Sequence, residues 1–224
     1  MTNTKLISRR RLLAGAAGLV AGAQALAAAQ CKLTPRQGEG PYYPEADLNR
    51  DNDLTNLGPG KPVARGQVIY LGGRVLDPDC RPIRDAVVEV WQAAASGRYN
   101  HSQDPNGNLV LDPNFQYWGR TRTDTNGKYV FKSVIPGHYP TGPNTYRPPH
   151  IHVKIHATGF LSLTTQVYFD PRSYDDAALA LIVDRLNKAE GIPSDLIVFY
   201  LPAAKVPELG AKTGSFDFTV RPNV

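Results

Sequence analysis

The sequence of 224 residues predicts a mainly β fold, a β-sandwich of antiparallel strands with one helix and long irregular connections. Three observations point to it. Short β-rich runs recur at fairly regular spacing from Gln67 onward, each bounded by turn residues. The 20 Gly and 19 Pro supply the punctuation of many short elements, while 42% hydrophobic and 20% charged residues mark a folded chain with a sizeable core. A single stretch carries helical periodicity.

Taken in order, strands are expected over 67–77, 86–92, 118–123, 127–133, 150–157, 163–169, 196–201 and 215–220. Asp77-Pro78-Asp79, Asp124-Thr125-Asn126-Gly127 and Pro136-Gly137 supply tight-turn chemistry between them. From Tyr174 to Ala189, apolar residues at Ala178, Leu179, Leu181, Ile182, Val183 and Leu186 follow the helical period. Asp175-Asp176 opens that helix, and Gly191 with Pro193 beyond closes it. Residues 30–66 are Pro/Gly-rich and weakly periodic, which predicts an extended N-terminal arm; residues 67–224 form the sandwich.

Residues 1–29 read as an export leader. Ser8-Arg9-Arg10-Arg11-Leu12-Leu13 opens a weakly apolar run ending in Ala27-Ala28-Ala29, the layout of a twin-arginine signal. A periplasmic or secreted protein, without stable membrane insertion after leader removal, is the expectation. The leader also accounts for the charge. The net charge is +5, but Lys5, Arg9, Arg10 and Arg11 lie in the leader, leaving 21 basic against 20 acidic residues. No clustered basic face is visible, so nucleic acid is set aside as a partner. Two cysteines, Cys31 and Cys80, are too few for a disulfide framework, though the pair is free to join in an oxidising compartment.

Chemistry concentrates on four side chains. His150-Ile151-His152 sits at the head of a predicted strand, where residues i and i+2 share a face, so both imidazoles can converge on one metal ion. Two imidazoles suit zinc, copper, iron or nickel alike. His156 shares that parity but lies about 13 Å further along and is read as structural. Tyr99, in Gly97-Arg98-Tyr99, and Tyr139, in the constrained Pro136-Gly137-His138-Tyr139-Pro140, stand in unusual settings for tyrosines. A packed ring is the ordinary role for either. With a reference pKa of about 10, two phenolates at neutral pH require a strong local cation.

A series of motifs then fixes the comparison: Gly38-Glu39-Gly40-Pro41-Tyr42-Tyr43, Val88-Glu89-Val90-Trp91-Gln92-Ala93, Gly97-Arg98-Tyr99 and Pro113-Asn114-Phe115-Gln116-Tyr117-Trp118-Gly119-Arg120. They continue with Thr123-Asp124-Thr125-Asn126-Gly127-Lys128-Tyr129, the Tyr139 turn, Arg147-Pro148-Pro149-His150-Ile151-His152 and Thr165-Gln166-Val167-Tyr168-Phe169. In this order, over about residues 38–170, the chain resembles the intradiol ring-cleavage dioxygenases, the family of catechol and protocatechuate dioxygenases.

The resemblance implies one non-haem ferric ion held by Tyr99, Tyr139, His150 and His152, with residues 67–224 as the catalytic sandwich. It implies that Tyr139 is displaced when a catechol chelates and takes a substrate proton, and it places Arg147 and Gln166 beside the substrate. The implied reaction inserts both atoms of O₂ between the two hydroxylated carbons to give a cis,cis-muconate-type diacid. Tyr42 and Tyr43 line the mouth by the same resemblance. Residues 32–66 are too short and too Pro/Gly-rich for the helical N-terminal segment common in catechol dioxygenases, so the layout is nearer a protocatechuate dioxygenase subunit. Thr141 stands where those enzymes tend to place an aromatic ring. Which catechol is preferred, and whether the chain forms an oligomer, stay open.

Two rival readings differ in class. Gly73-Arg74-Val75-Leu76-Asp77 with Pro82–Val88 and Thr123–Phe131 also resembles transthyretin-like and carboxypeptidase-regulatory modules, which bind partners and carry no metal. That pattern explains the strands but not the two tyrosines and two histidines. A copper or zinc sandwich enzyme lacks further ligands at sensible positions.

Overall fold

The computed structural model describes residues 30–45, 51–203 and 206–223; the predicted leader, 1–29, lies outside the described residues. Among the described residues, twelve strands form two five-stranded sheets and one hairpin. The first sheet is built on β1 (Val68–Leu76), which pairs antiparallel with β4 (Lys128–Val134) along one edge. Its other edge takes β11 (Lys212–Ser215) and then β12 (Phe218–Thr219), both parallel to it, and β10 (Leu201–Pro202) adds beyond β11. The second sheet runs β3 (Trp118–Arg122), β2 (Val87–Trp91), β7 (His150–His156), β8 (Leu163–Phe169) and β9 (Ile197–Val198). β5 (Tyr139–Gly142) and β6 (Thr145–Arg147) make the hairpin.

The mainly β sandwich with one helix is therefore the fold, with three refinements. Pairing is mixed, since β1–β11, β1–β12 and β8–β9 are parallel. The runs expected over 196–201 and 215–220 each break. The second breaks where the chain crosses β1 at Gly73, at which an added Cβ would lie 1.8 Å from the Phe216 carbonyl oxygen. The helix, α1, spans Ala177–Ala189 rather than starting at 174, because the Asp176 carboxylate caps it by accepting from the Ala178 and Leu179 amides.

Alternation along the second sheet separates core from chemistry. Val88 and Val90, Ile151, Val153 and Ile155, and Val167 and Phe169 face the first sheet, meeting Ile69, Leu71 and Phe131 in the buried core. The opposite parity puts Glu89, Trp91, His150, His152, Gln166 and Tyr168 on the outer face. There they are buried as well. What covers them is the arm, the long 92–117 connection and the β5–β6 hairpin. The arm is held by Cys31–Cys80, whose Cα atoms are 5.2 Å apart, and by backbone bonds from Gln37 to Thr164 and from Thr34 to Thr219. No helix among the described residues is long and apolar enough to cross a membrane.

Candidate metal centre

Strand register assembles the site. Trp118, Trp91, His152 and Gln166 lie on one rung across β3, β2, β7 and β8, and His150 pairs with Tyr168 two residues along. His150 and His152 therefore project from one face, as the strand period requires, with their Nε2 atoms 3.0 Å apart. Both rings are buried, at 2% and 3% exposure. His156, on the same face but at the far end of the strand, is exposed, with its Nδ1 2.8 Å from the Ser162 hydroxyl.

The tyrosines arrive from two loops that cross. An added Cβ on Gly97 would sit 2.4 Å from the His138 carbonyl oxygen, and one on Gly137 would sit 2.5 Å from the Gly97 amide nitrogen. Glycine at both positions lets the two backbones touch. Tyr99 and Tyr139 each follow two residues later, so the crossing brings their rings to 5.5 Å, edge to face. The Tyr139 ring is 5.8 Å from that of His150. All four predicted donors are buried in one place.

Their ionisation states favour a cation. The His150 Nδ1 is 2.7 Å from the Pro148 carbonyl, which can only accept, so Nδ1 carries the proton and Nε2 presents a lone pair. Burial holds the His150 imidazole neutral, with its pKa lowered to about 4, and depresses that of His152 well below its ordinary value too. Burial pushes the Tyr99 phenol well above its ordinary range, with the nearby Tyr139 adding to the effect. It raises Tyr139 too, against the pull of Arg147. The Tyr99 and Tyr139 hydroxyls interact with each other, and the His152 Nδ1 is buried without a hydrogen-bond partner. A separation of 3.0 Å is what two bonds of roughly 2.1 Å to a common ion make at about a right angle. Neutral imidazoles with their Nε2 atoms side by side, next to two buried phenols that meet each other, fit a highly charged ion.

Around them stand the residues expected at the substrate and the mouth, Arg147, Gln166, Tyr42 and Tyr43, together with Trp91 and Gly40, whose roles the sequence did not reveal. Trp91 stacks flat on His152 at 4.7 Å and 6°. Gly40, at φ +72°, passes so close that an added Cβ would lie 3.2 Å from the His152 Cε1. Tyr42 packs on Tyr99 at 4.5 Å, whereas Tyr43 donates to the Glu89 carboxylate beneath Lys154. Arg147 donates from Nη2 to the Gln166 Oε1 at 2.9 Å and to the Tyr168 hydroxyl, and from Nη1 to Glu190 at 2.6 Å. Gln166 in turn donates to the Gly38 carbonyl. Thr141 is exposed on the hairpin and bonds Thr145. A cavity of about 190 Å³ opens beside Tyr42, Trp91, Tyr99 and His101. Another cavity, about 500 Å³, is lined by Leu33, Arg36, Leu161 and Arg221 and includes none of the candidate residues.

Strand parity would have flagged Trp91 and Tyr168 as sharing the histidines' face. The meeting of Trp91 with His152 depends on register between strands some 60 residues apart, which one sequence does not carry.

Comparison with known proteins agrees with this architecture. A family model described as Dioxygenase matches residues 38–222. The protocatechuate 3,4-dioxygenase beta chain of Burkholderia cepacia is 46% identical over 135 residues, 58% of this chain and 56% of that one. Catechol 1,2-dioxygenase 2 of Acinetobacter lwoffii is 35% identical over 175 residues, 70% of this chain and 60% of that one. Among solved structures, the dioxygenase domain of a carbohydrate-binding fusion protein from Streptomyces sp. SirexAA-E superposes with a TM-score of 0.59 at 26% identity, over 85% of this chain and 99% of that one. Fold and family model together place the chain in a class of β-sandwich proteins, the Dioxygenase family. The chain belongs to the intradiol ring-cleavage dioxygenase family. It spans 56–60% of the length of these two curated relatives.

Proposed function

We propose that the protein is a non-haem ferric dioxygenase that cleaves catechol-type rings between their two hydroxylated carbons, inserting both atoms of O₂ to give a cis,cis-muconate-type diacid. The observation that carries this reading is the buried convergence of two imidazoles and two phenols in a chain of this family. Tyr99, Tyr139, His150 and His152 would hold the ion. When bound, a ferric ion supplies the Lewis acidity that keeps phenolates ionised and draws electron density from a chelating catecholate.

The chain's own residues do the rest. The Tyr139 Oη, as phenolate, accepts a proton from a substrate hydroxyl. Arg147 places a fixed positive charge where negative charge develops on the opened-out ring oxygens, inside a water-poor site where such a charge counts most. Gln166, tied to Gly38 and Arg147, fixes that guanidinium rather than roaming as a donor. The aromatic side chains of Tyr42, Trp91 and Trp118 line the cavity beside the site and limit the water that reaches it. Related proteins are named for catechol, protocatechuate, chlorocatechol and hydroxyquinol, and these rings define the panel to test. The leader-like residues 1–29 and the Cys31–Cys80 bond support a periplasmic or secreted setting.

The test is oxygen uptake by iron-loaded protein over that panel, with product spectra. One O₂ consumed per ring and a diacid product are expected. No uptake with any of the four rings, or a product opened outside the diol, overturns the reading.

A further inference from the structure

Helix α1 ends on a residue of the wrong sign. A helix C-terminus carries partial negative charge and favours cations, yet its C-cap is Glu190. The nearest basic residue, Lys188, does not offset it, because its ammonium pairs with Asp184 one turn back at 2.7 Å. What faces Glu190 is Arg147, whose Nη1 donates to the Glu190 Oε2 at 2.6 Å. Arg147 comes from the end of β6, 43 residues away in sequence. Its other terminal nitrogen, Nη2, reaches Gln166 and Tyr168 on the face that carries the histidines. One planar guanidinium thus spans from helix end to candidate site, pinned at both sides. A planar fork gripped at one corner has its remaining N–H directions fixed. A local rule broken at a helix end, with the compensation lying at the site, marks a residue retained for function.

We propose that Glu190 is a positioning residue for Arg147, so that α1 serves the reaction by aiming the guanidinium at the substrate. The proposal rests on the dioxygenase reading above. Arg147 is needed where negative charge develops in the transition state, so losing its anchor lowers turnover more than binding. The group required of residue 190 is an acceptor at the right place rather than a charge, and Gln supplies one.

The experiment measures kcat and KM for catechol in the iron-loaded wild type, Glu190→Ala and Glu190→Gln, with thermal unfolding alongside. Glu190→Ala is expected to lower kcat about tenfold with KM within twofold. Glu190→Gln is expected to recover most of that loss. A Glu190→Ala kcat within twofold of wild type overturns the proposal, as does a parallel rise in KM. Equal losses in both variants also overturn it, since they make charge rather than position the requirement. Should Glu190→Ala fail to fold, Glu190→Leu removes the acceptor while keeping bulk at the helix end and gives the same comparison. A wild type inactive on every ring removes the dioxygenase reading and this proposal together, whereas an active wild type matched by Glu190→Ala removes this proposal alone.

Discussion

At the scale of single residues, the two histidines make a measurable claim about pH. In the unfolded chain an imidazole titrates near 6.5, whereas burial lowers the native His150 pKa to about 4 and depresses that of His152 as well. Between those values the unfolded state binds protons that the native state refuses. Stability is therefore full above about pH 6.5 and is lost as pH falls toward 4, with His150 alone accounting for about 3 kcal/mol. Carboxylates such as Asp170, held low by Arg172, move stability in the same direction, so a variant must isolate the histidine. Urea midpoints of iron-free protein at pH 7 and pH 4.5 should show the drop, and His150→Gln should narrow it. A drop of equal size in His150→Gln would mean that this imidazole is not held neutral. The chemistry of these positions was legible in the sequence because a strand's period of two puts His150 and His152 on one face without reference to any other residue. Glu190 and Trp91 were not, because each acts only through a partner brought from far along the chain.

Among elements, the strands with clear alternation, β2, β7 and β8, stand where the pattern puts them. The β5–β6 hairpin does not announce itself. Pro140, Gly142 and Pro143 read as a turn, and strands of four and three residues held mainly to each other leave little hydrophobic period to detect. Yet this hairpin carries Tyr139 at one end and Arg147 at the other, directly paired. Its placement depends on the Gly97–Gly137 crossing, and that dependence predicts the cost of a methyl group. Gly97, at φ +86°, has no room for Cβ beside the His138 carbonyl, whereas Gly159, at φ +82°, faces open space. Gly159→Ala carries only the left-handed backbone cost, roughly 1–2 kcal/mol. Gly97→Ala adds a backbone collision and should destabilise by roughly 3–4 kcal/mol while moving Tyr99 away from Tyr139. Urea unfolding of both variants checks the difference. Equal losses would show that the crossing tolerates a side chain and that something else holds the tyrosines together.

Over the whole molecule, the arm joins the sandwich to complete the candidate site. It was legible as extended but not as part of the site, because Pro/Gly-rich sequence shows what a segment cannot form, not where it lies. The arm brings Gln37 to the Tyr168 hydroxyl, Gly38 to Gln166, Gly40 to His152 and Tyr42 to Tyr99. Two kinds of attachment hold it, and they act on different states. Hydrogen bonds from Gln37 to Thr164, from Thr165 to Pro35 and from Gln166 to Gly38 belong to the native structure. The Cys31–Cys80 bond, closing a separation of 49 residues, acts chiefly on the unfolded chain by limiting its freedom, an effect of about 4 kcal/mol. In a protein of this size that corresponds to roughly 10 °C in Tm. Reduction, or the pair Cys31→Ser with Cys80→Ser, should lower Tm by about that amount. At 25 °C the native bonds persist, so turnover of catechols by the same sample should stay within twofold of the oxidised protein. Calorimetry and oxygen uptake on one preparation separate the two effects. If turnover fell along with Tm, the hydrogen bonds would be too weak to seat the arm, and the disulfide would be holding Gln37, Gly38 and Gly40 against the site directly.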